Sequence, residues 1–209
     1  MQEGNVISPS LIASGVAARP LPGLAVSGDL HLVKPFSDGV LLAAVDGIGH
    51  GDEAILAARM AVEILERHPA EPPAALVRRC HAVLRETRGV VMTLASLNPQ
   101  AGTMAWLGVG NVETVLVRAD PKVKPAAERV ILRSGLVGYA LPDLLVSIVP
   151  IAPGDLLVFA TDGIGSGFTE GWPHKSPPQQ IADRIMERHF KGTDDALVLV
   201  VRYLGSGHE

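Results

Sequence analysis

The stretch Leu41 to Gly51, LLAAVDGIGHG, decides the fold. Its first five residues form an unbroken apolar run, the pattern of a strand covered on both faces. Asp46 stands where that run ends, and glycine then takes every second position at Gly47, Gly49 and Gly51. Glycine admits positive φ and close backbone approach, so a carbonyl or a ligand can come where a Cβ would block it. The pattern returns at Leu156 to Gly167, LLVFATDGIGSG, where an apolar run again ends in an acid, Asp162, followed by Gly163. Two rigid strand ends each deliver one carboxylate, which suits hard cations that take oxygen ligands.

Outward from this stretch, Leu24 to Val33, LAVSGDLHLV, reads as a strand interrupted by Gly28 and Asp29. The turn at Lys34 to Gly39 makes it the hairpin partner of the central strand and puts Asp29 and Asp46 on neighbouring strands. One or two opening strands are expected between Asn5 and Arg19. Asp52, as N-cap, and Glu53, as a first-turn acid, open a helix that runs to His68. A second helix runs from Pro73 to about Arg88, with Cys80 on its buried face.

From Val90 the period is that of strands: VVMTLASL, TMAWLGVG, VETVLVRA, ERVILRS, LLVSIVP and DLLVFAT. A last helix spans Pro178 to about Phe190, and Asp194 and Asp195 precede a final apolar strand, ALVLVVRYL. Roughly ten strands and three helices without βαβ alternation predict an α/β (α+β) fold, an αββα sandwich of two mainly antiparallel sheets flanked by helices.

Composition narrows the function. The chain has 209 residues, 47% hydrophobic, with a formal net charge of −4, and is read as a single domain over 1–209. Its one cysteine excludes an internal disulfide and a zinc-thiolate cage and fits a reducing compartment. No apolar run is long enough to span a membrane, and the N-terminus lacks a signal-peptide pattern, so a cytoplasmic location without membrane contact is expected. The acidic balance, without a Lys/Arg stripe, argues against nucleic acid. An anionic substrate would need positive charge from outside the protein.

Asp29, Asp46, Asp162 and the pair Asp194-Asp195 all stand beside strand termini or a strand glycine. Such a cluster repels itself unless cations or protons neutralise it. All-oxygen donors point to Mg²⁺ or Mn²⁺ rather than zinc, and two such ions can activate a water for in-line attack at phosphorus.

SGD at Asp29, VDGIGHG at Asp46-Gly47, ATDGIG at Asp162-Gly163 and the Asp194-Asp195 pair resemble, in order and spacing, the metal-dependent protein serine/threonine phosphatases of type 2C. The DGxGHG form resembles their bacterial sporulation and stress-response branch. The resemblance covers Val26 to Leu204 and implies two Mn²⁺ or Mg²⁺ ions and hydrolysis of phosphoserine or phosphothreonine in proteins. It implies Asp46 as the bridging ligand, the Gly47 carbonyl on one ion, Asp162 and Asp194 on the other, and Asp29 close by. It selects Asp194 over Asp195, the ligand being the first of the pair, and implies phosphorylated STAS-domain proteins of a stressosome-type complex as partners.

Two departures follow from the same resemblance. The eukaryotic members carry a phosphate-clamping arginine near the first strand, for which Arg19 is the candidate here, without matching spacing to Asp29. Their leaving-group histidine directly follows DG, whereas His50 stands three residues after Gly47 and reads either as a general acid or as a turn residue.

Rival readings are a dinucleotide-binding loop, a small-molecule phosphatase and a pseudophosphatase-like module that grips a phosphoprotein without turnover. The first is weakened because Asp52 occupies the third glycine's place and Asp46 would repel a pyrophosphate. Ser166 in GSG lacks the first glycine of a hydrolase elbow and reads as a loop residue.

Overall fold

A computed structural model describes residues 11–170 and 174–205. Two sheets stack face to face with helices outside them. One sheet contains β2 (Asp29–Phe36), β3 (Gly39–Gly47), β4 (Val90–Asn98), β5 (Thr103–Val109) and β8 (Leu132–Arg133) in that order, with β9 (Ser147–Pro150) also paired to β5. The other runs β1 (Ile12–Arg19), β11 (Ala196–Tyr203), β10 (Leu156–Ala160), β6 (Glu113–Val117) and β7 (Ala127–Arg129). Helices α1 (Asp52–Arg67) and α2 (Pro73–Val83) cover the first sheet, and α3 (Pro178–His189) covers the second. The order of layers is α, β, β, α, as expected.

The continuous apolar runs follow from this layering. In β3, Leu41, Ala43 and Val45 pack under α1 and α2, while Val40, Leu42 and Ala44 face the second sheet. Both faces of the strand are dry, so alternation disappears from the sequence. The same division splits β11: Leu197, Leu199 and Val201 point between the sheets, and Ala196, Val198 and Val200 pack under α3. Helix α1 sets Ala54, Ala57, Ala58 and Ala61 against its sheet, small side chains that allow close approach.

Several local expectations change. Asp29 opens β2 rather than interrupting a longer strand; Leu24 to Gly28 are bends and irregular backbone. The reason is long-range: the Asp195 carboxylate accepts the Leu21 and Gly28 N–H groups, each at 2.7 Å, so that Gly28 meets β3 through its carbonyl, which accepts the Gly47 N–H at 3.2 Å. Strand β2 then continues through Pro35, which is tolerated because β2 is an edge strand. ERVILRS divides into β7 and β8, which join different sheets, and β8 pairs with β5 in parallel. Likewise β9 and β10 lie in different sheets.

The second helix ends at Val83, followed by a 3-10 turn at Leu84–Glu86. The N-cap of α1 is Gly51 at φ 78°, with Asp52 as the first helical residue. Glu53, the expected first-turn acid, also pairs with Arg88. Asn5 to Ser10, the start of the first expected strand, lie outside the described residues.

Candidate metal centre

The ladder between β2 and β3 places Asp29 directly opposite Asp46. Residues so paired have Cα atoms about 4.5–5.5 Å apart. From the other sheet, β10 runs into Thr161 and Asp162, and the turn before β11 supplies Asp194 and Asp195. Asp46, Asp162 and Asp194 line one cleft of about 370 Å³ with Ile48, Asn111 and Ser134. Each sheet therefore contributes acids to one place.

Both DG glycines have a packing reason. A Cβ on Gly47 would stand 2.1 Å from the Ala54 carbonyl oxygen, and one on Gly163 would stand 2.0 Å from that of Asp195. The first contact seats the start of α1 against the end of β3; the second brings the Asp162 turn onto the Asp194-Asp195 turn. Any side chain would force the acids apart.

The pair at 194–195 divides in role. Asp195 is buried, and its two oxygens take the Leu21 and Gly28 N–H groups. Asp194 faces the cleft, with Oδ1 accepting the Asp195 N–H at 2.8 Å. Asp29 is buried behind the cleft and accepts a hydrogen bond from the Thr161 hydroxyl at 2.7 Å.

Burial, together with the surrounding carboxylates, makes these groups hard to ionise. Asp46 is pushed up to about 8, first by burial and then by Asp29, Asp162, Asp194 and Asp195. Asp29 is pushed up to about 7 by burial, against the Thr161 hydrogen bond, with Asp195, Asp162 and Asp194 adding to the rise. Asp162 is raised by partial burial and Asp194, and held back by Lys191 and Asn111.

Sequence reasoning missed the residues that hold Asp162. Asn111 Nδ2 donates to its carboxylate at 2.9 Å, and Lys191 Nζ donates to its main-chain carbonyl at 2.7 Å. Asn111 sits just before β6, the neighbour of β10, at the same sheet end as Asp162. Its position after the GVG of β5 was the available signal; Lys191 offered none before α3 was placed. A side cavity of about 270 Å³ adjoins the cleft through Asn111 and Asp162 and includes Lys191 and the loop residue Ser166.

Two candidates stand outside the cleft lining. His50 is exposed in the turn before α1. Arg19 lies with its guanidinium 5.5 Å from the centroid of the Phe190 ring. Cys80 is buried, and burial pushes its thiol up to about 12, the state of an inert structural cysteine.

Among the described residues no three His, Cys, Asp or Glu side chains close on a single point as a ready cage. Asp46, Asp162 and Asp194 line an open cleft instead. An all-oxygen set whose members resist ionising beside one another fits divalent hard cations, which would take the place of the protons.

A family model for Stage II sporulation protein E (SpoIIE) matches residues 37–204. Phosphoserine phosphatase RsbX of Bacillus subtilis (strain 168) is 23% identical over 94 residues, 45% of this chain and 47% of that protein. The matched stretch thus spans about half the length of that curated relative. Among solved structures, one described under the bacterial stressosome, a modular system adapted to control secondary messenger signaling, superposes with a TM-score of 0.83 at 28% identity. It covers 92% of this chain and all of that one.

RsbX in complex with magnesium shares the fold at a TM-score of 0.77 and 18% identity, over 91% of this chain and 94% of its own. The PP2C phosphatase domain of SpoIIE from Bacillus subtilis, solved with a fragment of its regulatory domain, gives 0.73 at 24% identity, covering 93% of this chain and 64% of that one. The αββα architecture is shared with these structures over more than nine tenths of the chain, and with the family model matching most of its length the protein belongs to the Stage II sporulation protein E (SpoIIE) family.

Proposed function

We propose that the chain is a metal-dependent protein phosphatase that hydrolyses phosphoserine or phosphothreonine on partner proteins. The observation that supports this best is the β2–β3 register, which sets Asp29 against Asp46 at the cleft where Asp162 and Asp194 arrive from the other sheet. In this reading Asp46 would serve both of two Mn²⁺ or Mg²⁺ ions, the Gly47 carbonyl would donate to one, and Asp162 and Asp194 would hold the other. Bound ions supply the positive charge that a phosphate dianion needs and make a water nucleophilic at neutral pH.

The chain's own residues organise that chemistry. Asn111 fixes the rotation of the Asp162 carboxylate, and Lys191 fixes the backbone that carries it. Thr161 holds Asp29 behind Asp46 and keeps its free oxygen lone pairs near the cleft. Asp195 ties the segment before β2 to the turn before β11, so the two halves of the acid set keep their spacing. Ser134 and Ile48 form the cleft walls against which a phosphorylated side chain is positioned.

Phosphorylated STAS-domain proteins of a stressosome-type complex are the proposed partners. The support is the likeness to a stressosome-associated chain, to RsbX and to the RsbU domain of a mycobacterial protein, the last at a TM-score of 0.72.

The test is hydrolysis of an aryl phosphate and of a phosphorylated STAS protein by wild type and Asp46→Asn, across a Mn²⁺ or Mg²⁺ titration with a chelator control. Metal-dependent release that disappears in the variant supports the reading. Undiminished release in Asp46→Asn, or none from either substrate at any metal concentration, overturns it.

A further inference from the structure

A second cavity, of about 310 Å³, lies at the end of the β10–β11 sheet opposite the acid cleft. Leu156 and Arg202, directly paired across β10 and β11, mark that end, and Asp162 lies six residues along the chain from Leu156. At ~3.3 Å per residue the two places are about 20 Å apart.

The lining of this cavity is basic: Arg118, His174, Lys175 and Arg202, over a floor that includes Val117 and Leu156. Among the described residues no acid lines it.

Their pairing is uneven. Arg118 is almost fully buried and rigidly held: Nη1 donates to Asp155 at 2.9 Å and to the Pro150 carbonyl at 2.7 Å, and Nη2 donates to Glu128. Its Nε–H is buried without an acceptor. Among the described residues Arg202 donates to main-chain carbonyls, those of His174 at 2.5 Å and Ser176 at 2.8 Å, and to no carboxylate. Lys175 makes no ion pair among the described residues. Arg118 is neutralised by its two carboxylates, so the positive potential of this concave setting with its apolar floor comes from Arg202 and Lys175, which meet no carboxylate among the described residues, and it is there that an anion can be desolvated.

We infer that this cavity is a binding site for a small phosphorylated anion, separate from the acid cleft, with Arg202 and Lys175 as its direct ligands above the buried, carboxylate-paired Arg118. The inference is independent of the phosphatase reading. The apolar floor suits the organic part of a phosphate ester, while the cationic rim suits its phosphate.

The test is calorimetric titration of the full chain with inorganic phosphate and with glycerol 3-phosphate, at ionic strength held constant with chloride. Each is run with and without chelator, on wild type, Lys175→Ala and Arg202→Gln. Saturable binding insensitive to the chelator is expected, weakened about tenfold in each variant, the loss of one charge-assisted contact. Tighter binding of the ester assigns the site to organic phosphates; equal binding assigns it to free phosphate.

Lys175 is exposed and makes no ion pair among the described residues, so Lys175→Ala tests the site without burdening the fold. Absence of binding beyond chloride, binding abolished by the chelator, or equal affinity in wild type and Lys175→Ala overturns the inference.

Discussion

Asp46→Asn makes a quantitative prediction for the metal-free protein. In the unfolded chain Asp46 ionises near its ordinary value, whereas in the folded protein burial and the facing acids hold its proton up to about 8. Between those limits the folded state binds one more proton than the unfolded state at this position. Stability from the group is full below about pH 4 and is lost as pH rises to about 8, with a slope of about 1.4 kcal/mol per pH unit.

Asp29, held up to about 7, contributes a second slope of the same sign over most of that window. Replacing Asp46 by Asn removes one titrating proton and relieves Asp29 of a neighbour. The dependence of unfolding free energy on pH between about 5 and 7 then becomes shallower by about 1.4 kcal/mol per pH unit.

Urea unfolding in chelator at half-unit pH intervals measures both slopes, and every other titrating group is common to the two proteins. The variant gains on wild type as pH rises, and Mn²⁺ restores stability to wild type alone. Parallel pH profiles for the two proteins would refute the reasoning, because they would mean that the Asp46 carboxyl is ionised in the fold at neutral pH.

Asp195→Ala leaves two backbone N–H groups without their acceptor and lowers stability by about 2–4 kcal/mol, whereas Asp194→Asn keeps the fold and loses hydrolysis. Denaturation and turnover assays on the pair check this, and exchanged phenotypes would overturn the division of roles. Cys80 resists a thiol reagent at pH 8 in the native protein and reacts as one equivalent after unfolding; rapid native labelling would contradict its burial.

The parts of this protein legible in its sequence are those whose cause is local or layered. LLAAVDG and LLVFATDG announce buried strands ending in acids because both faces of β3 and β10 are dry. The hairpin that pairs Asp29 with Asp46 is readable because its turn is short. What escaped depends on distant chain segments. Asp29 begins β2 because Asp195, 166 residues away, captures the N–H groups ahead of it. ERVILRS divides because its two halves are claimed by different sheets, and nothing within seven residues encodes that. Asn111 and Lys191 meet Asp162 through sheet order and helix placement.

The acids of the cleft come from two sheets that share no strand. Neither sheet alone holds a complete set, so the centre comes into being only when the layers dock. An ion seated there would act as a clasp between them, and its free energy of binding would be, in part, adhesion between layers. Slippage of one sheet against the other by a fraction of an ångström would change metal affinity before it disturbed a single ladder hydrogen bond. Mutations in the apolar layer between Leu42 and Leu199, far from any carboxylate, therefore belong among those that tune the centre.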